Sequence, residues 1–205
     1  MSRRSHWDDI YETRAADEVS WFEQDPRTSY MLVSRAVQAG ARSVIEIGGG
    51  ASNLVDRLLE FHLDRVAVLD VSEAGLSVAK RRLGAAASKV EWIADDVTTI
   101  EDVGRFDVWH DRAVFHFLTS DSDRRSYVRL AERSVPTGGI AIIATFAPDG
   151  PDRCSGLPVR RYDEVALADE FGDGFLLIDS QAKAHVTPRG ITQNFLYASL
   201  RRSGE

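Results

Sequence analysis

The sequence predicts an α/β fold: one doubly wound, mostly parallel sheet of seven strands, with helices on both faces and an antiparallel strand pair at its C-terminal end. Three observations predict it. From residue 43 onward, short runs rich in Val and Ile alternate with amphipathic segments, which is the pattern of βαβ units. The first apolar run passes into a helical segment through Gly48-Gly49-Gly50, a turn at which backbone can approach a ligand. The last two strand-like segments, 175–180 and 194–200, have no helical pattern between them and should therefore pair antiparallel.

The elements follow in order. Residues 1–40 scatter the aromatics Trp7, Tyr11, Trp21 and Phe22 among charges, then read as helical from Tyr30 through Val37 to a stop at Gly40. We expect them to form an N-terminal helical extension, or lid, on an α/β core of residues 41–205, the chain 1–205 being one domain. Residues 43–47 read as the first strand, and Ser52 can cap a helix with Leu54, Val55, Leu58 and Leu59 on one face. Residues 66–71 form the second strand, with Ser72 capping the next helix; 90–93 and 106–109 are the third and fourth. A helix from Asp121 or Ser122 carries Tyr127, Val128, Leu130 and Ala131 and gives way at Gly138-Gly139. Residues 140–144 are apolar throughout, as a strand covered on both faces should be, and a helix over 162–171 precedes the final pair.

Composition narrows the partners. A net charge of −7 supplies no field to attract nucleic acid or an anionic membrane, and we expect neither as a partner. The basic clusters Arg3-Arg4, Lys80-Arg81-Arg82 and Arg160-Arg161 lie beside acids and read as solvated faces. Met1-Ser2-Arg3-Arg4 leads into polar sequence and not into a secretory apolar run, and no stretch of about 20 apolar residues follows. The single cysteine, Cys154, excludes an intrachain disulfide framework and a multi-cysteine zinc site, so we expect no metal and a cytoplasmic location. Monomer and homodimer both remain open.

The chemistry concentrates at one edge of the expected sheet. A dinucleotide fingerprint would place glycine at 48, 50 and 53, but position 53 is Asn. The pattern Glu46-x-Gly48-x-Gly50-x-Ser52 resembles the first motif of class I S-adenosylmethionine-dependent methyltransferases, with Ser52 in place of the motif's last glycine. Acids also end the next two strands: Asp70, before Val71, and Asp95-Asp96, before Val97. A carboxylate at Asp70 offers two acceptor oxygens to two ribose hydroxyls. A negative lining suits a sulfonium cation better than a phosphate.

The resemblance implies a Rossmann-like sheet with S-adenosyl-L-methionine as cofactor and S-adenosyl-L-homocysteine as product. Asp96 would serve the adenine amino group and Glu46 the methionine ammonium. Trp7, Tyr11, Trp21, Gly49, Asn53, His110 and Asp111 complete the expected cofactor-binding set. Over about the first 120 residues the chain also resembles the elongation-factor-type protein-lysine methyltransferases. That likeness is carried by Trp7-Asp8-x-x-Tyr11, by Trp21-Phe22, and by His110-Asp111-Arg112, where that branch has Asp-Lys-Gly. The last third, with Cys154-Ser155-Gly156-Leu157-Pro158, resembles uncharacterised bacterial methyltransferases.

Methyl transfer from a sulfonium is an in-line displacement of an excellent leaving group, so positioning supplies most of the acceleration. Asp111, His110 and His116 are the candidate catalytic residues, Asp111 to orient an amine and either histidine to act as base. His116, between Phe115 and Phe117, also reads as a packing residue, His185 as a residue at the pocket's edge, and Cys154 as a structural thiol. A small-molecule acceptor is favoured by the compact chain, with a protein lysine as alternative. A nicotinamide-dependent oxidoreductase and a non-catalytic cofactor binder are the remaining readings.

Overall fold

The computed structural model describes residues 2–204. Met1 and Glu205, the two ends of the expected 1–205 domain, lie outside the described residues. The main sheet contains β1 (Ser43–Ile47), β2 (Arg65–Asp70), β3 (Glu91–Ala94), β4 (Val108–Arg112), β5 (Ile140–Phe146), β6 (Phe175–Val186) and β7 (Thr192–Arg202). Their spatial order is β3-β2-β1-β4-β5-β7-β6. The first five are parallel, whereas β7 runs antiparallel to both β5 and β6. This is the predicted seven-stranded, Rossmann-like sheet with its antiparallel close. Strand order reverses between β1 and β4, and α/β sheets bind their ligands at the carboxyl ends of the strands flanking such a reversal.

Helices α1 (Arg3–Thr13), α2 (Arg27–Gln38), α3 (Leu54–Leu58), α4 (Glu73–Leu83), α5 (Asp121–Ser134) and α6 (Glu164–Phe171) surround the sheet. Local chemistry fixes their starts. Ser72 Oγ accepts the Gly75 N–H at the head of α4, Ser120 Oγ the Asp123 N–H at α5, and Asp163 Oδ1 the Ala166 N–H at α6. The alternation of each strand splits the core in two. Val44, Val66, Val68 and Val108 pack with α2, α3 and α4; Ile45, Ile47, Trp109 and Ile143 pack with α5 and α6. Among the described residues no helix is long and apolar enough to cross a membrane.

Of the boundaries that differ from expectation, three have a visible local cause. The first helix of the sheet spans only Leu54–Leu58, with Asn53 at its N-cap position; Ser52 Oγ accepts the Leu54 N–H, and the chain turns at Glu60 and Phe61. β6 continues to Val186 with mostly exposed side chains, because its pairing with β7, and not burial, holds it extended. β4 begins at Val108, two residues after the expected start at 106. Asp107 is diverted there: its Oδ2 accepts the N–H groups of Arg42 (2.8 Å) and Ser43 (3.0 Å) and the Ser43 hydroxyl (2.9 Å), stapling the start of β4 to that of β1.

Asp107→Ala strands two backbone donors at the edge of the sheet away from the strand carboxyl ends. It should cost about 1–3 kcal/mol, read as a lower Tm, while leaving ligand affinity at the opposite end unchanged.

Candidate functional site

At the carboxyl ends of β1 and β2 the glycine turn is locked to the sheet. Gly48 has φ +67°, and a Cβ there would lie 2.0 Å from Val114 Cγ2. The Gly48 N–H donates to Leu69 O at 2.7 Å. Gly49 packs against Val68, and a Cβ on Gly50 would stand 2.8 Å from Asp70 Oδ2 and 2.9 Å from the Tyr11 hydroxyl oxygen. Asp70, 6% exposed, accepts the Gly50 N–H on Oδ2 (2.9 Å) and the Ser72 N–H on Oδ1 (2.8 Å). Burial pushes its carboxyl up to about 6, against the pull of those two donors.

Two clefts meet over this turn, sharing Tyr11, Trp21, Gly48 and Arg112. The first, of about 730 Å³, runs along Asp70, Val71, Asp95, Asp96 and Val97 under Trp7, Phe117 and Leu118. The second, of about 520 Å³, is lined by Glu46, His110, Glu23, Ser52 and Asn53. The N-terminal segment walls both. Asp8 Oδ1 accepts the Ser72 hydroxyl (2.7 Å), docking α1 at the head of α4, and Trp7 meets Trp21 and Phe117 edge-on, with ring centroids 5.6 and 5.1 Å away. Asn53 Nδ2 donates to Glu23 O at 2.8 Å, so its amide secures the segment. His185 Nε2 lies 2.7 Å from Ser20 O and does the same from β6.

Glu46 and His110 are register partners on β1 and β4 and stand side by side. Glu46 is 4% exposed with Oε2 lacking a partner, and burial pushes its carboxyl up to about 8. His110 is 1% exposed, neither ring nitrogen has a partner, and burial, aided by the Arg112 charge, lowers its pKa to about 3.

Other expected residues lie elsewhere. Asp111 points to the opposite face of β4, off both clefts, because strand side chains alternate. Its carboxyl accepts the Tyr127 hydroxyl (2.5 Å) and the N–H groups of Val114 (2.9 Å) and Phe115 (3.1 Å), and burial pushes it up to about 7. It ties β4 to α5 and to the turn after β4, and lies away from the clefts where the sequence placed it as a cofactor and catalytic contact. His116 also lies off both clefts: fully buried beside Phe117 and Phe146, it accepts the Phe146 N–H on Nδ1 at 3.3 Å. Burial lowers its pKa to about 3, and its surroundings are those of the packing residue that its place between two phenylalanines also suggested.

Asp96 reaches the first cleft but is engaged. Burial pushes its carboxyl up, yet the Thr98 N–H and hydroxyl and the Arg3 guanidinium hold it below the ordinary carboxylate range. Asp95 accepts only the adjacent Asp96 N–H among the described residues. Cys154 sits in the wall of the first cleft, where burial raises its pKa and keeps it a thiol.

Sequence reasoning missed Arg112 and Glu23. Arg112 Nη1 donates to Trp21 O (2.8 Å) and Nε to the Tyr197 hydroxyl (3.0 Å), while Glu23 Oε2 lies 3.3 Å from Nε. The signal was present: Arg112 follows His110 by two residues, so a strand continued through 112 puts both on one face.

Residues 44–139 match the family model of a methyltransferase domain, a stretch from β1 through the glycine turn to the foot of β5. That stretch is similar to a methyltransferase domain, and the chain as a whole shares its fold with solved S-adenosylmethionine-dependent methyltransferases. Three solved structures illustrate the likeness. One, described for the conversion of a disulfide bond into a thioacetal group during echinomycin biosynthesis, superposes with TM-score 0.78 at 18% identity over 98% of this chain and 92% of that one. The N-methyltransferase NodS from Bradyrhizobium japonicum, in complex with S-adenosyl-L-homocysteine, gives 0.72 at 16% identity over 96% and 98%. The Burkholderia thailandensis 1,6-didemethyltoxoflavin-N1-methyltransferase, with 1,6-didemethyltoxoflavin and S-adenosylhomocysteine bound, gives 0.69 at 21% over 98% and 84%. At such identities the likeness establishes the fold. No curated protein matches the sequence.

Tyr127→Phe tests the tie between β4 and α5. Asp111 titrates above its ordinary value, so it is ionised only at the alkaline end, where the lost hydroxyl matters most. The variant should lose about 1–3 kcal/mol, with a larger drop in Tm at pH about 8 than at about 5. An equal drop at both would separate Tyr127 from the Asp111 charge.

Proposed function

We propose that the protein is an S-adenosylmethionine-dependent methyltransferase acting on a small-molecule acceptor. The carrying observation is the glycine cradle that opens onto a buried Glu46 oxygen with no partner and onto Asp70 at the adjoining strand end. These residues fit the cofactor. Each Asp70 oxygen holds one backbone N–H and keeps a lone pair for a ribose hydroxyl. Val71, Val97, Phe117 and Leu118 offer apolar walls for adenine, with Asp95, and Asp96 beside it, near the amino edge. Glu46 answers the ammonium, and Gly48 to Gly50 leave the backbone bare.

The bound cofactor supplies a methyl group on a sulfonium. The chain's own task is then to orient the acceptor and keep water out. Residues 1–40 act as the lid on the 41–205 core, with Trp21 and Glu23 fastened by Arg112 and Asn53. His110, held neutral, orients the acceptor through a ring nitrogen and does not act as a resting base. A roof that close favours a small acceptor over a protein lysine. The lysine reading also leans on His110-Asp111-Arg112, in which Asp111 lies off both clefts.

Calorimetry with S-adenosyl-L-homocysteine and with NAD tests the reading, and NAD binding without the former would overturn it. Glu46 titrates near 8 against an ordinary 4.5, so it is largely protonated at neutral pH and the free protein loses stability as pH rises across that window. An ammonium beside it lowers its pKa, so binding at pH about 7 should release up to ~1 proton, seen as a buffer-dependent heat. Glu46→Gln should abolish that release. With labelled cofactor and a cell lysate, label confined to molecules below a protein cut-off supports the small acceptor; label on protein supports the lysine alternative.

A further inference from the structure

The end of β4 carries a polar arrangement that remains incomplete. Arg112, its side chain 11% exposed, has two of its nitrogens engaged: Nη1 by Trp21 O, and Nε by the Tyr197 hydroxyl with Glu23 Oε2 beside it. Its Nη2 is buried and has no partner. Two residues earlier on the same face, His110 leaves both ring nitrogens without partners. Both side chains line the second cleft, and Arg112 stands where the two clefts join.

A guanidinium does not shed its proton on burial, so a dry N–H pair must find an acceptor or destabilise the fold. What is missing opposite Nη2 is an acceptor, and the neutral His110 ring adds one more N–H nearby. The local charge leaves room for an anion. Glu23 faces Arg112 at Nε and not at Nη2, and Glu46, largely neutral in the free protein at neutral pH, ionises only against a bound ammonium whose charge it balances. Arg112 also offers the planar fork that matches two carboxylate oxygens.

Resting on the methyltransferase reading above, we propose that Arg112 Nη2, with His110 beside it, forms a subsite for a carboxylate of a molecule bound in the joined clefts. Two sources share that chemistry: the amino-acid end of the cofactor and an acidic acceptor. In either case Arg112 is a binding residue as well as a fastener of Trp21.

The test measures three affinities in the wild type and in Arg112→Met: S-adenosyl-L-homocysteine, methylthioadenosine, which lacks the amino-acid end, and benzoate against benzyl alcohol on the homocysteine complex. A loss of ~10-fold or more for S-adenosyl-L-homocysteine, with methylthioadenosine unchanged within ~2-fold, assigns the subsite to the cofactor's carboxylate. Unchanged cofactor binding, with benzoate's advantage over benzyl alcohol lost, assigns it to the acceptor. Equal losses for both adenosine ligands would mean that Arg112 only fastens the N-terminal segment, and no change in any would leave it without a ligand role; either overturns the proposal. Should Arg112→Met fail to fold, Arg112→Lys keeps the charge without the fork and should show the same selective pattern at smaller size. A wild type that binds neither adenosine ligand defeats the earlier reading instead.

Discussion

Asp70 is the constraint on which the site depends. One carboxylate joins two turns, that after β1 through the Gly50 N–H and that after β2 through the Ser72 N–H. Because it is buried, leaving either oxygen unmatched would be costly, so the two turns can vary little relative to one another. The glycines make the junction feasible. A side chain at 48 would collide with Val114, and one at 50 with Asp70 itself.

Ser72 passes that rigidity outward. Its hydroxyl donates to Asp8 while its oxygen caps α4, so the N-terminal helix is registered against the same turn that Asp70 holds. Trp7 and Tyr11 then project from α1 over the clefts at spacings of one side of a helix. The roof of the site is thus tied to its floor at the α4 end through Asp8. At the β4 end, Arg112 bonds Trp21 O. The segment between these anchors, with Asn53 on Glu23 O, has fixed points along its length.

Burial, and not neighbouring charge, sets the electrostatics of this end of the sheet. Glu46, Asp70 and Asp111 all titrate high, and His110 titrates low, because each has left water. The carboxyls differ in their company. Asp111 has three donors and is finished; Asp70 has two and spare lone pairs; Glu46 has an oxygen with none. That gradient separates a structural acid from acids open to a ligand, although in sequence all three simply sit near strand ends.

The sequence by itself determined the architecture, because hydrophobic period and turn chemistry are local. The alternation of apolar runs gave five parallel strands, the missing helix before residue 194 gave the antiparallel close, and Ser72 was legible as a cap. It also located the glycine turn and Asp70. What only the tertiary structure decided was which side of β4 faces the clefts. A strand's period is two, so ending β4 at 109 instead of 112 hid the alternation that sends Asp111 into the α5 side and brings His110 and Arg112 to the site. The later end goes with pairing to β5 out to Arg112 and Ala144, and the later start with Asp107 bonding Arg42 and Ser43, a contact across more than 60 positions. No local pattern records such a contact, because its partners meet only when the strands align.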